Sequence, residues 1–310
     1  MKKIVLTFPG QGSQTVGMGK EFYDKFEKSK NVIDKLDEEL KNIIFEGSEE
    51  KLKDTKYAQP AIFAVSVAIF EALKYSINLN ELEIVTAGHS LGEYSALCVA
   101  GFFNFEDGLN MVKARGEFIA QASRQNPGVM AAIIGMSKEA VEDVCKQVSQ
   151  IGICEPVNFN SPGQIVISGT NEAVAKATEL AKTNGALKAV MLNVSGPFHS
   201  SLMKPASEKM KSELEKYNFS QPQYPVITNC DAQITKDASL IKEKSVKQIC
   251  SPVLWDTSML NAINNGFETF IEIGPGRVLT GLMRRIDRTK KAMNIETVAD
   301  LEKVAEVLKS

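Results

Sequence analysis

Residues 84–97 read IVTAGHSLGEYSAL and hold Ser90 between Gly88 and Gly92 in the spacing G-x-S-x-G. After a buried strand and before a helix, that spacing puts a serine on a sharp turn, its Oγ exposed at the carboxyl end of the strand. The flanking glycines permit the turn. A serine hydroxyl attacks only when a base takes its proton, and histidine is the usual base. The chain has two histidines. His89 adjoins Ser90, and neighbouring side chains on a tight turn point apart. If Ser90 is a nucleophile, His199, in GPFHS, is left as its base. No acidic residue in motif context marks a third member; a backbone carbonyl or an amide can hold the imidazole tautomer equally well.

Two further stretches bear on chemistry. FPGQGSQTVGMGK (8–20) is glycine-rich, but Thr15 stands where a dinucleotide fingerprint needs glycine, and Met18 where a Walker loop needs lysine. Such a loop after a strand either aims backbone N–H groups at a developing oxyanion, together with the N–H of Leu91, or is a simple tight turn. In EDGLNMVKARGEFIAQAS (106–123), Lys113, Glu117 and Gln121 share one helix face. Arg115 falls on the other side with Val112, Phe118 and Ile119. A guanidinium on an apolar face needs an anion, supplied by a carboxylate of the protein or by one on a substrate.

These residues need elements to hold them. IVLTF (4–8), IVTAG (84–88) and ETFIEIGPG (268–276) read as strands, the last running into a glycine turn, and 60–74 and 106–123 as helices. Buried strands alternating with helices predict a parallel sheet covered on both faces. GVMAAIIGM (128–136), SKEAVEDVCKQV (137–148), two strands about a Ser-Pro-Gly turn (153–169), an Asn-capped helix (171–185) and a strand at 186–194 break that rhythm. Their order, β-α-β-β-α-β, is that of a ferredoxin-like unit. The expected fold is therefore α/β, with a large subdomain at 1–125 and 196–310 and a small inserted one at 126–195.

Composition sets outer limits. Of 310 residues, 44% are apolar and 24% charged, and the net charge is −2, so nothing supports a nucleic-acid partner. The apolar stretch after the two N-terminal lysines ends at Pro9, too short for a secretory signal, and no run approaches the roughly 20 residues of a membrane span. Five cysteines without a C-x-x-C pair fit neither a zinc site nor a disulfide framework. A cytoplasmic protein with reduced thiols is expected.

Taken together, FPGQGSQ, GHSLGEYSAL, Arg115, NFNSPGQIVISG, GPFHS and IEIGPG resemble the bacterial malonyl-CoA:acyl-carrier-protein transacylases, in that family's order and over nearly the whole chain. The resemblance implies an α/β-hydrolase-like large subdomain and a site in the groove beside the insert. It implies that malonyl-CoA acylates Ser90 with His199 as base, and that Arg115 pairs with the malonyl carboxylate. Gln11 and Leu91 would supply the oxyanion N–H groups. Gln248 matches the family glutamine whose main-chain carbonyl orients the histidine, and Asn160 a residue lining the cleft. The malonyl group would pass to the phosphopantetheine thiol of an acyl carrier protein, in ping-pong fashion, with no cofactor or metal and in a monomer. Phe198 beside the base would crowd the acyl α-carbon; related acyltransferases that accept methylmalonyl usually carry serine there. Two rivals share these motifs: a thioesterase using water as acceptor, and a non-catalytic docking subunit of a synthase. The basic run RRIDRTKK (284–291) reads as a solvated helix end rather than a carrier-docking patch.

Overall fold

The computed structural model describes residues 1–309. Across these residues the strands are β1 (Lys2–Phe8), β2 (Leu82–Gly88), β3 (Val129–Ile134), β4 (Cys154–Ser161), β5 (Gln164–Gly169), β6 (Lys188–Met191), β7 (Val226–Ile227), β8 (Ile234–Thr235), β9 (Thr269–Ile273) and β10 (Lys291–Ile295). They form two sheets.

The larger sheet runs β10-β9-β1-β2-β7-β8 and is parallel except at its β7–β8 edge. Its inner strands are mostly apolar because both faces are covered. Ile4, Leu6 and Phe8 of β1 face a helical layer that includes Ile62 and Ile69 of the helix Thr55–Ser76. Val5, between them, faces Trp255, Met259 and Leu279 on the opposite side. Period-two alternation thus divides one strand between two cores.

The smaller sheet runs β4-β5-β3-β6, wholly antiparallel. With the helices Lys138–Gln147 and Asn171–Thr183 it completes β-α-β-β-α-β, the ferredoxin-like arrangement expected. Ile133, Ile165 and Ile167 pack beneath those helices. Met130, Val157 and Val166 turn the other way, against Leu192, Val194 and Phe198. The small sheet is tied by backbone to the segment just before the helix Trp255–Asn264: Phe159 N–H donates to Val253 O (2.9 Å) and Val253 N–H to Val157 O (2.8 Å).

Two local expectations need correction. The cap residue of the helix beginning at Asn171 is Thr170, extended and without a side-chain cap bond; Asn171 is already the first helical residue. The strand expected over 186–194 spans only Lys188–Met191, because the chain leaves the sheet after Met191. There Leu192, Asn193, Val194 and Ser195 line a cleft instead. The run RRIDRTKK closes the helix Val278–Ile286, with Arg284, Arg288 and Lys291 exposed. No helix among the described residues is long and apolar enough to cross a membrane.

Candidate active site

Because β1, β2 and β7 are neighbours, the turns leaving their carboxyl ends emerge together, which is where open α/β sheets bind ligands. The β1–β2 register ends at Phe8 opposite Gly88, so the Gln11 loop and the Ser90 turn start level. Ser90 has φ +52°. A non-glycine residue held there stores of order 1–3 kcal/mol of strain, a state that persists only where the surroundings over-determine it. The glycines act by making room. A Cβ on Gly88 would lie 1.9 Å from the Gly92 carbonyl carbon, and one on Gly92 2.0 Å from Phe8 O. The sharp conformation falls on the serine, and the close backbone approach on the glycines.

Ser90 Oγ lies 2.7 Å from His199 Nε2, and His199 Nδ1 lies 2.9 Å from the main-chain oxygen of Gln248. An Nδ1–H donated to that carbonyl leaves Nε2 unprotonated towards the hydroxyl, the tautomer a general base needs. His199 is buried, and its pKa is pushed down to about 3, first by desolvation and then by the positive charge of Arg115. The imidazole is therefore neutral throughout the physiological range. His89 faces away: its Nε2 meets Asn160 Oδ1 at 2.8 Å and its ring packs near Trp255.

Arg115, in the helix Phe105–Gln125, is 1% exposed. Its Nη1 donates to Gln59 Oε1 (2.7 Å), and its Nη2 to Gln248 Oε1 (3.0 Å) and to Ser90 Oγ (3.3 Å). Its ring neighbour is Tyr94, with the guanidinium carbon 5.6 Å from the centroid. Nε has no partner. No carboxylate of the described residues forms an ion pair with it; its hydrogen-bond partners are two glutamine amides and the Ser90 hydroxyl. Glycines let the two helices approach closely enough for the Gln59 contact: a Cβ on Gly108 would lie 2.5 Å from the Phe63 ring, and one on Gly116 3.0 Å from Thr55 O.

These groups open on one cleft of about 620 Å³. Gln11, Leu91 and Phe198 also line it. Neither the backbone N–H of Gln11 nor that of Leu91 has an acceptor among the described residues. The Gln11 side chain donates to Thr55 Oγ1 (3.0 Å). Phe198 touches both the cleft and the apolar cluster under the small sheet. Asn160 is 8% exposed and held by His89, whose ring stands at the cleft, while Asn158 from the same strand lines the cleft itself.

Comparison with known proteins decides the family. The model of the acyl transferase domain matches residues 5–305. The malonyl CoA-acyl carrier protein transacylase of Bacillus subtilis is 45% identical, over 100% of this chain and 98% of its own. The chain belongs to the acyl transferase domain family. Among solved structures, an acyl-carrier-protein S-malonyltransferase from Bartonella henselae superposes with a TM-score of 0.96 at 41% identity, covering 100% of both chains. A malonyl-transacylase solved in complex with a type II PKS acyl-carrier protein gives 0.92 at 38% identity, covering 99% of this chain and 100% of the other.

Two residues of this acyl transferase domain escape the motif reading. Asn229, just after β7, accepts from Ser90 N–H through Oδ1 (2.8 Å) and donates through Nδ2 to Gly88 O (2.6 Å), bridging the turn on either side of His89. Its own N–H donates to Glu93 Oε2 (2.6 Å), a carboxyl whose pKa desolvation raises to about 8. Nothing in ITNCDA announces this, since β7 is only two residues long. Gln59 had a readable signal: a polar side chain inside an apolar helical run, at 2% exposure.

Proposed function

We propose that this chain transfers a malonyl group from malonyl-CoA to the phosphopantetheine thiol of an acyl carrier protein through a malonyl ester on Ser90. The observation that carries the reading is Arg115: a buried guanidinium without a carboxylate partner, 3.3 Å from the nucleophile Oγ of a serine–histidine pair. An acyl group that brings its own carboxylate supplies the missing anion, in a planar contact suited to arginine.

In the first half-reaction, Ser90 Oγ attacks the thioester carbonyl while His199 Nε2 takes the hydroxyl proton. The backbone N–H groups of Gln11 and Leu91 receive the oxyanion. Asn229 occupies the N–H of Ser90 itself, which favours this pair of donors over Ser90 N–H. The tetrahedral adduct collapses, the C–S bond breaks, and the imidazolium returns its proton to the leaving CoA sulfur. In the second half, the carrier thiol gives a proton to His199 and attacks the ester; Ser90 recovers the proton as the malonyl thioester forms. Positioned donors and a positioned base each contribute about 10²–10⁴-fold. In this reading residues 126–195 form the small subdomain and 1–125 with 196–310 the large one, acting as a monomer in the cytoplasm.

Intact-mass measurement tests it. Incubation with malonyl-CoA should add one malonyl group to the wild type and none to Ser90→Ala, and carrier protein bearing a free phosphopantetheine thiol should discharge the adduct. Discharge at the same rate without the carrier would identify a thioesterase, and no adduct on the wild type would leave only a docking role.

A further inference from the structure

The hydrogen-bond partners of Arg115 are all uncharged. Gln59 and Gln248 are 2% and 0% exposed, and both offer an amide oxygen to the guanidinium where a glutamate of the same shape would offer a carboxylate. A buried arginine ordinarily finds a carboxylate, because an unpaired charge out of water is costly. Glu93 attracts it through space but forms no ion pair with it and spends Oε2 on the N–H of Asn229. The Tyr94 ring supports the cation without neutralising it. Gln248 is further constrained: its Nε2 donates to Ser90 O (2.8 Å), so the side chain that accepts from Arg115 also braces the nucleophile turn.

The geometry points to Gln59 and Gln248 as specificity-determining residues: they aim Arg115 into the cleft and, being neutral amides, leave its charge for an acyl group that carries a carboxylate. The inference rests on the proposed malonyl transfer and adds what sets its preference. The two glutamines act through Arg115, as positioning residues. A glutamate at either place would form an internal ion pair with the guanidinium where the glutamine now makes a neutral hydrogen bond. Specificity would then be lost without loss of the arginine, because the guanidinium would already be matched and the incoming anion would meet a carboxylate.

The test compares acylation of Ser90 by malonyl-CoA, acetyl-CoA and malonamyl-CoA, the last an uncharged amide of the same size as malonyl. Gln59→Glu should lower the malonyl-to-acetyl ratio of kcat/KM by about 100-fold or more. Gln59→Met removes the hydrogen bond but adds no charge, and should lower the ratio by about tenfold at most. The wild type should use malonamyl-CoA about 100-fold less well than malonyl-CoA. A Gln59→Glu protein that keeps the wild-type ratio overturns the inference. So does a Gln59→Met protein that loses as much selectivity as Gln59→Glu, since aim rather than neutrality would then matter. Equal use of malonyl and malonamyl by the wild type overturns it without any variant. If Gln59→Glu does not accumulate folded, Gln248→Glu brings the same charge to Nη2 and must show the same fall in ratio; an unchanged ratio there counts against the inference equally. Failure of the underlying malonyl reading is distinguishable: the wild type would then form no malonyl adduct.

Discussion

The two walls of the cleft are built on different physics. One wall comes from the carboxyl ends of β1 and β2 and from the helices behind them, and it is held by backbone contacts and short hydrogen bonds. Gly88, Gly92 and Phe8 approach too closely for a single added carbon, and Asn229 fastens the turn between them. The other wall is the helix-free face of the small sheet and the segment after it, where Met130, Val157, Leu192, Val194 and Phe198 meet through apolar side chains. Backbone contacts tolerate almost no displacement, whereas apolar packing absorbs changes of shape at about 1–3 kcal/mol. The first wall carries Ser90 and Arg115 on tightly placed backbone; the second meets the cleft through apolar side chains.

The contrast breaks or holds on four measurements. The largest effect belongs to Gly92→Ala. Its Cβ would meet Phe8 O at 2.0 Å, with no rotamer to relieve it, so the acyl-enzyme should be absent by intact mass. A volume-conserving change in the opposite wall, Met130→Leu, should cost only a few-fold. Comparable losses would erase the distinction between the walls.

Asn229→Ala comes next. Removing both bonds that hold the Ser90 turn should lower the single-turnover acylation rate by about 100-fold, the scale expected when a reacting atom shifts by about 1 Å. KM for malonyl-CoA should stay near its wild-type value, since Asn229 does not reach the cleft. A loss confined to KM would show that the residue shapes binding instead.

Phe198→Ser probes the soft wall. A methyl-sized change in a pocket changes selectivity by roughly 10–200-fold. The methylmalonyl-to-malonyl ratio of kcat/KM should therefore rise, toward the lower end because the ring also packs with Val157 and Val166. Equal losses for both substrates would reduce Phe198 to packing.

The smallest effect concerns pH. With its pKa pushed down to about 3, His199 is already neutral at pH 5.5, and activity should fall only as pH drops towards that value. A histidine at its ordinary value of about 6.5 would have lost roughly tenfold by then. The kcat/KM profile for acylation should stay flat from pH 8 to 5.5. In Arg115→Gln, which removes the second cause of the depression, the acid limb should move upward. The same sign holds for stability. The unfolded chain protonates this histidine below about 6.5 while the folded one does not. Its contribution, complete above that pH, is lost as pH falls towards 3.

Much of this molecule is legible in the residues alone, where local rules operate. The strands at 4–8 and 84–88, the β-α-β-β-α-β order of the insert, and Ser90 on its turn all follow from apolar patterning and glycine placement within short windows. His199 follows by elimination, because only one other histidine exists. What a window cannot show is which groups meet from distant parts of the chain. The main-chain oxygen beside His199 Nδ1 lies 49 positions away at Gln248 and has no residue signature of its own; only the family resemblance, not any local pattern, named it. Asn229 reaches Ser90 across 139 positions because β7 happens to lie beside β2. The chain pattern left Arg115 between an internal and an external anion; the fold brings two neutral amides, Gln59 and Gln248, against it and no internal ion pair. Sequence determined the types and local shapes of the reactive groups. Only the tertiary structure decided their charge balance, because a buried charge is matched or left unmatched by whatever side chains the fold brings against it.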